Sequence, residues 1–363
     1  MSTPSPRLVA LDGLRFAAAA AVLAYHFVAV NHHAWGGRTS AVMPGVQQVA
    51  AFGSFGVQLF FVISGFVASR AGRLFPAYWA AVLVTLVLLV LVAPGRRDVD
   101  LPQAVVNLTM VQRAFGIQDV EAVYWTLWSE LRFYVLVGAL LAVGLTRGRL
   151  IAFVTLWPVA GAIATQTGSD LLATVLVAAD APLFAGGMVL FLLTREPRSP
   201  VLWLALGLDV ALAAAHSGRI QAVRIENSTD LALGPATYWT AIVLCFAVVA
   251  AATMTPLARL SWRWPTVLGA LTYPLYLVHS SWGRWVIETA HPTLPGWATL
   301  ALAVTTCLLL ALAIHRLVER PFGPRLRRAL DRDLRRESRP LHERPGTRSS
   351  AAQAEAVGVP VPR

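Results

Sequence analysis

The chain contains no lysine, only two cysteines, and charged side chains at just 13% of its 363 positions. Each shortage narrows the reading. Soluble domains carry about 25% charged residues. A chain with half that share and 56% apolar residues is therefore not a soluble globular domain. Cys245 and Cys307 fall inside apolar stretches, without metal-ligand spacing or the patterned set of a disulfide framework. They read as small buried apolar side chains. The missing lysine carries no mechanism. Arginine alone supplies the 30 basic side chains set against 19 acidic ones, for a formal charge of +11. No internal repeat is visible, and "ISGF" at 63–66 lacks the flanks of a hydrolase nucleophile elbow.

What is present is a succession of apolar runs long enough to cross a bilayer. Ten are legible: 8–30, 46–69, 74–93, 124–145, 149–166, 171–193, 200–215, 235–254, 266–288 and 297–317, with 200–215 short for a span. They predict an all-α, polytopic membrane helix bundle with about ten transmembrane helices. The first run is no secretory signal, because Asp12 and Arg15 lie within it and many spans follow. Short loops holding Arg70/Arg73, Arg147/Arg149, Arg195/Arg198 and Arg259/Arg263 alternate with longer, arginine-poor ones. Basic residues concentrate on the cytoplasmic side, so both termini are expected there. The chain divides into a membrane unit, 1–322, and a basic, partly disordered cytoplasmic tail, 323–363. The tail sits where a juxtamembrane segment meets anionic lipid, which favours membrane lipids over nucleic acid as its partner.

The first span carries ionisable groups at helical spacing. Asp12 and Arg15 are three residues apart and share a face. His26 lies eleven residues beyond Arg15, close to three turns, and returns to that face about 16 Å along the axis. The alanines between them suit close helix packing, and equally leave room for a slender ligand. Asp12 and Arg15 read either as a mutual ion pair near the interface or as functional groups. His26 is the group able to take and return a proton near neutrality.

Other stretches place groups at matching depth. In "VYWTLWSELRFYVL" (123–136), Glu130 is about 9 Å in from Tyr124, while His26 is about 6 Å in from Val30. A carboxylate there suits orienting the histidine, raising its basicity or holding a substrate hydroxyl. Arg132 is two residues from Glu130 and points to another face. Trp125 and Trp128 fit the interfacial aromatic belt or a flat carbohydrate contact. Arg70 and Arg73 fit positive-inside anchoring or a phosphate grip. His279, near Tyr273 and Tyr276, reads as a hydrogen-bonded core histidine or a catalytic one. The adjacent His32 and His33 do not have the spacing of a helical metal pair, and no metal is expected.

Together these stretches resemble acyltransferase family 3, integral membrane O-acyltransferases. The resemblance rests on "LDGLRFAAAAAVLAYHF", with Arg15 and His26 on the family's Arg-x10-His pattern, then "GVQLFFVISGF" and "RLFPAYW", "YWTLWSELRFY" with Glu130 at the acidic position, "LTYPLYLVH", and "HRLVERPF". These pieces run in family order from about 8 to 322. The segment between Phe66 and Arg70 is shorter than the family's usual one. The resemblance implies a ten-span enzyme of the plasma membrane. It would move an acyl group, commonly acetyl, from acyl-CoA to a hydroxyl of a carbohydrate or a glycosylated metabolite such as a macrolide. In the family the arginine and histidine of the first span, here Arg15 and His26, are essential; joined with the reading of the residues, this gives a catalytic set of His26, Glu130, Arg15 and Asp12, with His26 as general base. Arg15, Arg70 and Arg73 would hold the donor, and Trp125, Tyr276 and His279 the acceptor. The competing readings are a transporter or flippase, which also places ionisable groups near the midplane, and a catalytically inactive membrane scaffold.

Overall fold

In a computed structural model of the chain, the structure describes residues 9–30, 33–37, 39–43, 45–67, 75–94, 100–229, 231–259, 263–323 and 325. Arg70, Arg73 and the tail after 325 lie outside them, as do the expectations placed there. Among the described residues every regular element is a helix. The principal ones are α1 Val9–Val30, α2 Val46–Phe66, α3 Phe75–Val92, α4 Ala122–Val143, α5 Arg147–Gln166, α6 Ala181–Leu193, α7 Pro200–Ser228, α8 Pro235–Met254, α9 Arg263–Ala290 and α10 Gly296–Gly323. Each predicted stretch overlaps one. Eight are long and apolar enough to cross a membrane. The other two are α6, apolar but 13 residues long, and α9, 28 residues long but carrying Thr272, Tyr273, Tyr276, His279 and Arg284. The protein is an all-α, polytopic membrane protein.

Two boundaries differ from expectation. The predicted run 171–193 is broken: a short helix, Asp170–Val175, ends in a turn with Val177 at φ 52°, and α6 begins at Ala181. Pro182 explains the restart, because proline fits the first helical turn but not a helix interior. The short run 200–215 continues instead to Ser228 through a π-turn at Ala214–Gly218. Arg219, Gln221, Arg224 and Glu226 end the apolar pattern without ending the helix.

Small residues set the packing. Gly53 and Gly56 of α2 lie against the backbone of Ala21 and Ala18 in α1, and a methyl group at either would collide with a carbonyl. The alanine-rich face of α1 is thus occupied by a neighbouring helix, and Ala18 and Ala19 are buried. Gly65 of α2 meets the Phe184 carbonyl, and Gly187 of α6 meets that of Val62. Along α1 and α9, Asp12 pairs with Gly269 and Phe27 with Gly283, so these two helices run parallel. Their starts share one side of the bundle. That requires an even number of crossings from α1 through α8, and so assigns one to α6.

Candidate active site

The polar face of α1 has two ends. At the first, Arg15 Nη1 lies 3.8 Å from Asp12 Oδ1. At the second, the α-helix widens into a π-turn over Tyr25–Val30. Such turns re-aim side chains and are frequent at functional sites. Tyr25, Phe27, Val28 and Ala29 of the turn are buried, while His26 keeps part of its surface accessible.

His26 meets His279 of α9. Their ring centroids are 5.2 Å apart at 57°. His279 is 1% exposed, and its Nδ1 donates to the Tyr276 carbonyl at 2.9 Å. A carbonyl only accepts, so Nδ1 carries the hydrogen and the neutral ring leaves a lone pair on Nε2. That Nε2 is buried and has no hydrogen-bond partner among the described residues. Leaving a buried acceptor unmade costs about 1–3 kcal/mol. The ring beside it that can supply an N–H is His26.

A cavity of about 560 Å³ opens between α1, α2, α4, α9 and α10. Asp12, Arg15, Arg316, Glu319 and Arg320 line one end, Ser64, Glu130, Tyr134 and Tyr273 the middle, and Phe60, Thr126 and Tyr276 the other end. From Thr266 to Tyr276 along α9 this spans about 15 Å at helical rise. Pro274 lacks an N–H, so the carbonyl of Ala270, a lining residue, loses its helical partner. The Tyr276 hydroxyl lies 2.8 Å from Thr126 Oγ1, and its ring 5.6 Å from that of His279. Tyr276 therefore stands between the cavity and the histidine pair, neither of which lines the cavity.

The residues expected from sequence separate into groups. Asp12, Arg15, Glu130 and Tyr276 share the cavity, and His26 and His279 pack ring against ring outside its lining. The Glu130 carboxylate accepts from Ser64 Oγ at 2.9 Å and Tyr134 OH at 2.7 Å, so the contacts shown for it are to these hydroxyls and not to His26. Arg132 bonds the carbonyls of Trp128 and Thr174 and the Ser129 hydroxyl, as its separate helix face requires. Trp125 packs edge-on against Phe61 at 6.3 Å and lies under the Arg224 guanidinium at 4.6 Å. Arg316 and Arg320 were not expected at the site. In sequence they look like anchoring charges after the last span, and only the return of α10 beside α1 brings them to Arg15. Tyr134 and Ser64 were missed as well, although Tyr134 is one turn from Glu130. Among the described residues no three His, Cys, Asp or Glu side chains cluster as metal ligands.

Apolar helices around a cavity with charged residues in its lining define a polytopic membrane protein with a candidate site inside its own bundle. The chain belongs to acyltransferase family 3: the family model, an acyltransferase domain, matches residues 8–316, and the protein is a membrane acyltransferase. No curated protein and no solved structure matches it.

Proposed function

We propose that the protein is an O-acyltransferase that moves an acetyl group from acyl-CoA to a hydroxyl of a carbohydrate or glycosylated metabolite, with His26 as general base. The observation that carries this reading is the placement of His26. It is a partly accessible histidine in a π-turn, set against a buried histidine with a bare Nε2, one tyrosine beyond a cavity whose other end holds Arg15, Arg316 and Arg320.

Acyl-CoA supplies a thioester carbonyl open to an alcohol oxygen and a thiol as leaving group. The cavity suits it: sites for small molecules occupy about 300–1,000 Å³, and guanidinium groups match phosphate in charge and fork geometry. Arg15, Arg316 and Arg320 hold the phosphates, joined in this reading by Arg70 and Arg73. Asp12 keeps Arg15 in place. Glu130, bonded to Ser64 and Tyr134, fixes the middle wall. Tyr276, released from Thr126, opens the cavity toward His26. His26 takes the proton of the acceptor hydroxyl as its oxygen bonds the acyl carbon, and returns that proton to the sulfur as the carbon–sulfur bond breaks. Such proton transfer is worth about 10²–10⁴-fold in rate. In the reacting arrangement the His26 ring turns so that His279 Nε2 accepts the N–H of its other nitrogen, which fixes the nitrogen that faces the acceptor. Trp125 borders the acceptor's side.

In this reading the cavity mouth and both termini face the cytoplasm, as the loop arginines favour, and His26 lies in the outer half of a plasma membrane. The basic tail then lies against anionic lipid. Mass spectrometry of surface glycans and secreted glycosides, from cells with the wild-type gene and with His26→Ala, tests the reading. One acetyl unit is expected on a hydroxyl only with wild type. Equal acetylation in the variant contradicts it.

A further inference from the structure

Arg224 stands on the last turns of α7, the part that the apolar pattern did not reach. Its guanidinium covers the Trp125 ring at 4.6 Å, and Nη1 lies 3.5 Å from Gln221 Oε1. Gln221 also accepts from Gln58 Nε2 at 3.3 Å. Both amides are buried, at 2% and 3% exposure, and Gln58 Oε1 has no partner among the described residues. Arg224 makes no ion pair there either. Asp180 is within reach of its field, but that carboxylate bonds Ser129. Thr126, next to Trp125 on α4, lies 2.8 Å from the Tyr276 hydroxyl, and the Tyr276 ring is 5.6 Å from that of His279. Tyr25, whose ring packs edge-on against His26 at 5.2 Å, links that histidine to α7 through Ser228, beside Arg224.

A half-buried guanidinium without a counter-ion is costly at membrane depth. Stacking on indole offsets only about 0.5–2 kcal/mol. Among the described residues no carboxylate lies within ion-pair distance of it, and it does not line the cavity that holds Arg15, Arg316 and Arg320. We propose that Arg224, seated on Trp125 and flanked by the Gln58 and Gln221 amides, forms an acceptor subsite that binds an anionic group, a carboxylate or a phosphate ester, on the sugar whose hydroxyl reaches His26. The proposal rests on the acyl-transfer reading and narrows its acceptor to negatively charged carbohydrates. Trp125 supplies the apolar ledge under the guanidinium, and the amides supply bonds for neutral hydroxyls of the same sugar.

The test uses the full chain purified in neutral detergent. Binding of glucuronate and glucose 1-phosphate is compared with that of methyl glucoside at matched ionic strength, in wild type, Arg224→Gln, Arg224→Lys and His26→Ala. Wild type and His26→Ala should bind the charged probes more tightly than the neutral one. Arg224→Gln should lose about 10- to 100-fold of that binding, as for a hydrogen bond to a charged group, with methyl glucoside unaffected. Arg224→Lys keeps the charge and should restore part of the preference, which shows that the fold is intact. A second arm repeats the binding in nanodiscs of phosphatidylcholine with and without phosphatidylglycerol. Unchanged binding supports a sugar site, whereas full displacement by phosphatidylglycerol assigns Arg224 to lipid headgroups and overturns the proposal. So does an equal or absent response to charged and neutral probes in wild type, or an unchanged preference in Arg224→Gln. Charge-selective binding without any His26-dependent acyl transfer would leave the subsite standing and remove the function. Acyl transfer without charge selectivity would do the reverse.

Discussion

At the Arg15 end of α1, charges meet charges. Asp12 faces Arg15, His315 Nδ1 lies 2.7 Å from Glu319 Oε2, and Arg316 and Arg320 line the same walls. At the His26 end, eleven residues along the same helix, a ring at 5.2 Å belongs to His279, whose acceptor nitrogen is buried and has no partner among the described residues. The same helices, α1 and α9, build both. One end suits tight holding of a polyanion, where many charged bonds add affinity. The other suits proton transfer, where a partly accessible histidine stands among buried neighbours. Tyr276, held by Thr126, separates the two. Binding and chemistry should therefore respond to different substitutions.

The largest effect is expected at the chemical end. His26→Ala should lower kcat about 10²–10⁴-fold with the KM for acetyl-CoA unchanged, read from transfer of labelled acetyl groups in membranes. At the binding end the pattern should invert. Arg316→Gln with Arg320→Gln should raise the acetyl-CoA KM about 10- to 100-fold and leave kcat within a few-fold of wild type, read from initial rates over a donor series. A change that weakens the wall common to both ends should move stability first. Gly65→Ala drives a methyl group into the Phe184 carbonyl and should cost about 1–3 kcal/mol by overpacking, measured as a lower thermal midpoint in detergent. His279→Phe keeps a ring and removes the acceptor nitrogen. It should reduce kcat about tenfold, spare KM and displace the pH profile, with partial recovery in His279→Asn; a merely structural role would leave the profile where it was.

The smallest effect belongs to neither end. Arg147 and Glu196 pair at 2.7 Å on the surface, and the guanidinium holds the Glu196 carboxyl below the usual carboxylate range. A lowered folded-state pKa means that the pair's contribution is present above the unfolded carboxylate pKa. It is lost as pH falls through the lowered value. Glu196→Gln should remove that acid dependence of the thermal midpoint without altering either kinetic constant.

The sequence shows the helices well and their meetings poorly. Ten apolar runs mark ten helices because hydrocarbon demands length and apolarity within each segment, a local property. The shared face of Asp12, Arg15 and His26 is local too, since helix rise and turn fix it. Asp180 and Pro182 held the signal for the break before α6, but the apolar residues around them hid it. Contacts between helices are a different matter. His279 was visible as a polar residue in α9, while its bare Nε2 beside His26 follows from the parallel register that Gly269 and Gly283 permit. Glu130 was placed at the right depth, yet its hydroxyl partners come from α2 and from its own next turn. Arg316, Arg320 and Arg224 sit near helix ends, where arginine reads as an interfacial anchor. Charge near a helix end has that meaning by default, and only the neighbours that packing supplies change it.

The most direct test follows donor binding and acyl transfer in one sample of His26→Ala protein, by equilibrium binding of labelled acetyl-CoA and a rapid-quench single turnover with acceptor present. Binding equal to wild type with no acyl transfer is the predicted result. Transfer at the wild-type rate would contradict the role given to His26, and loss of donor binding would contradict the separation of the two ends.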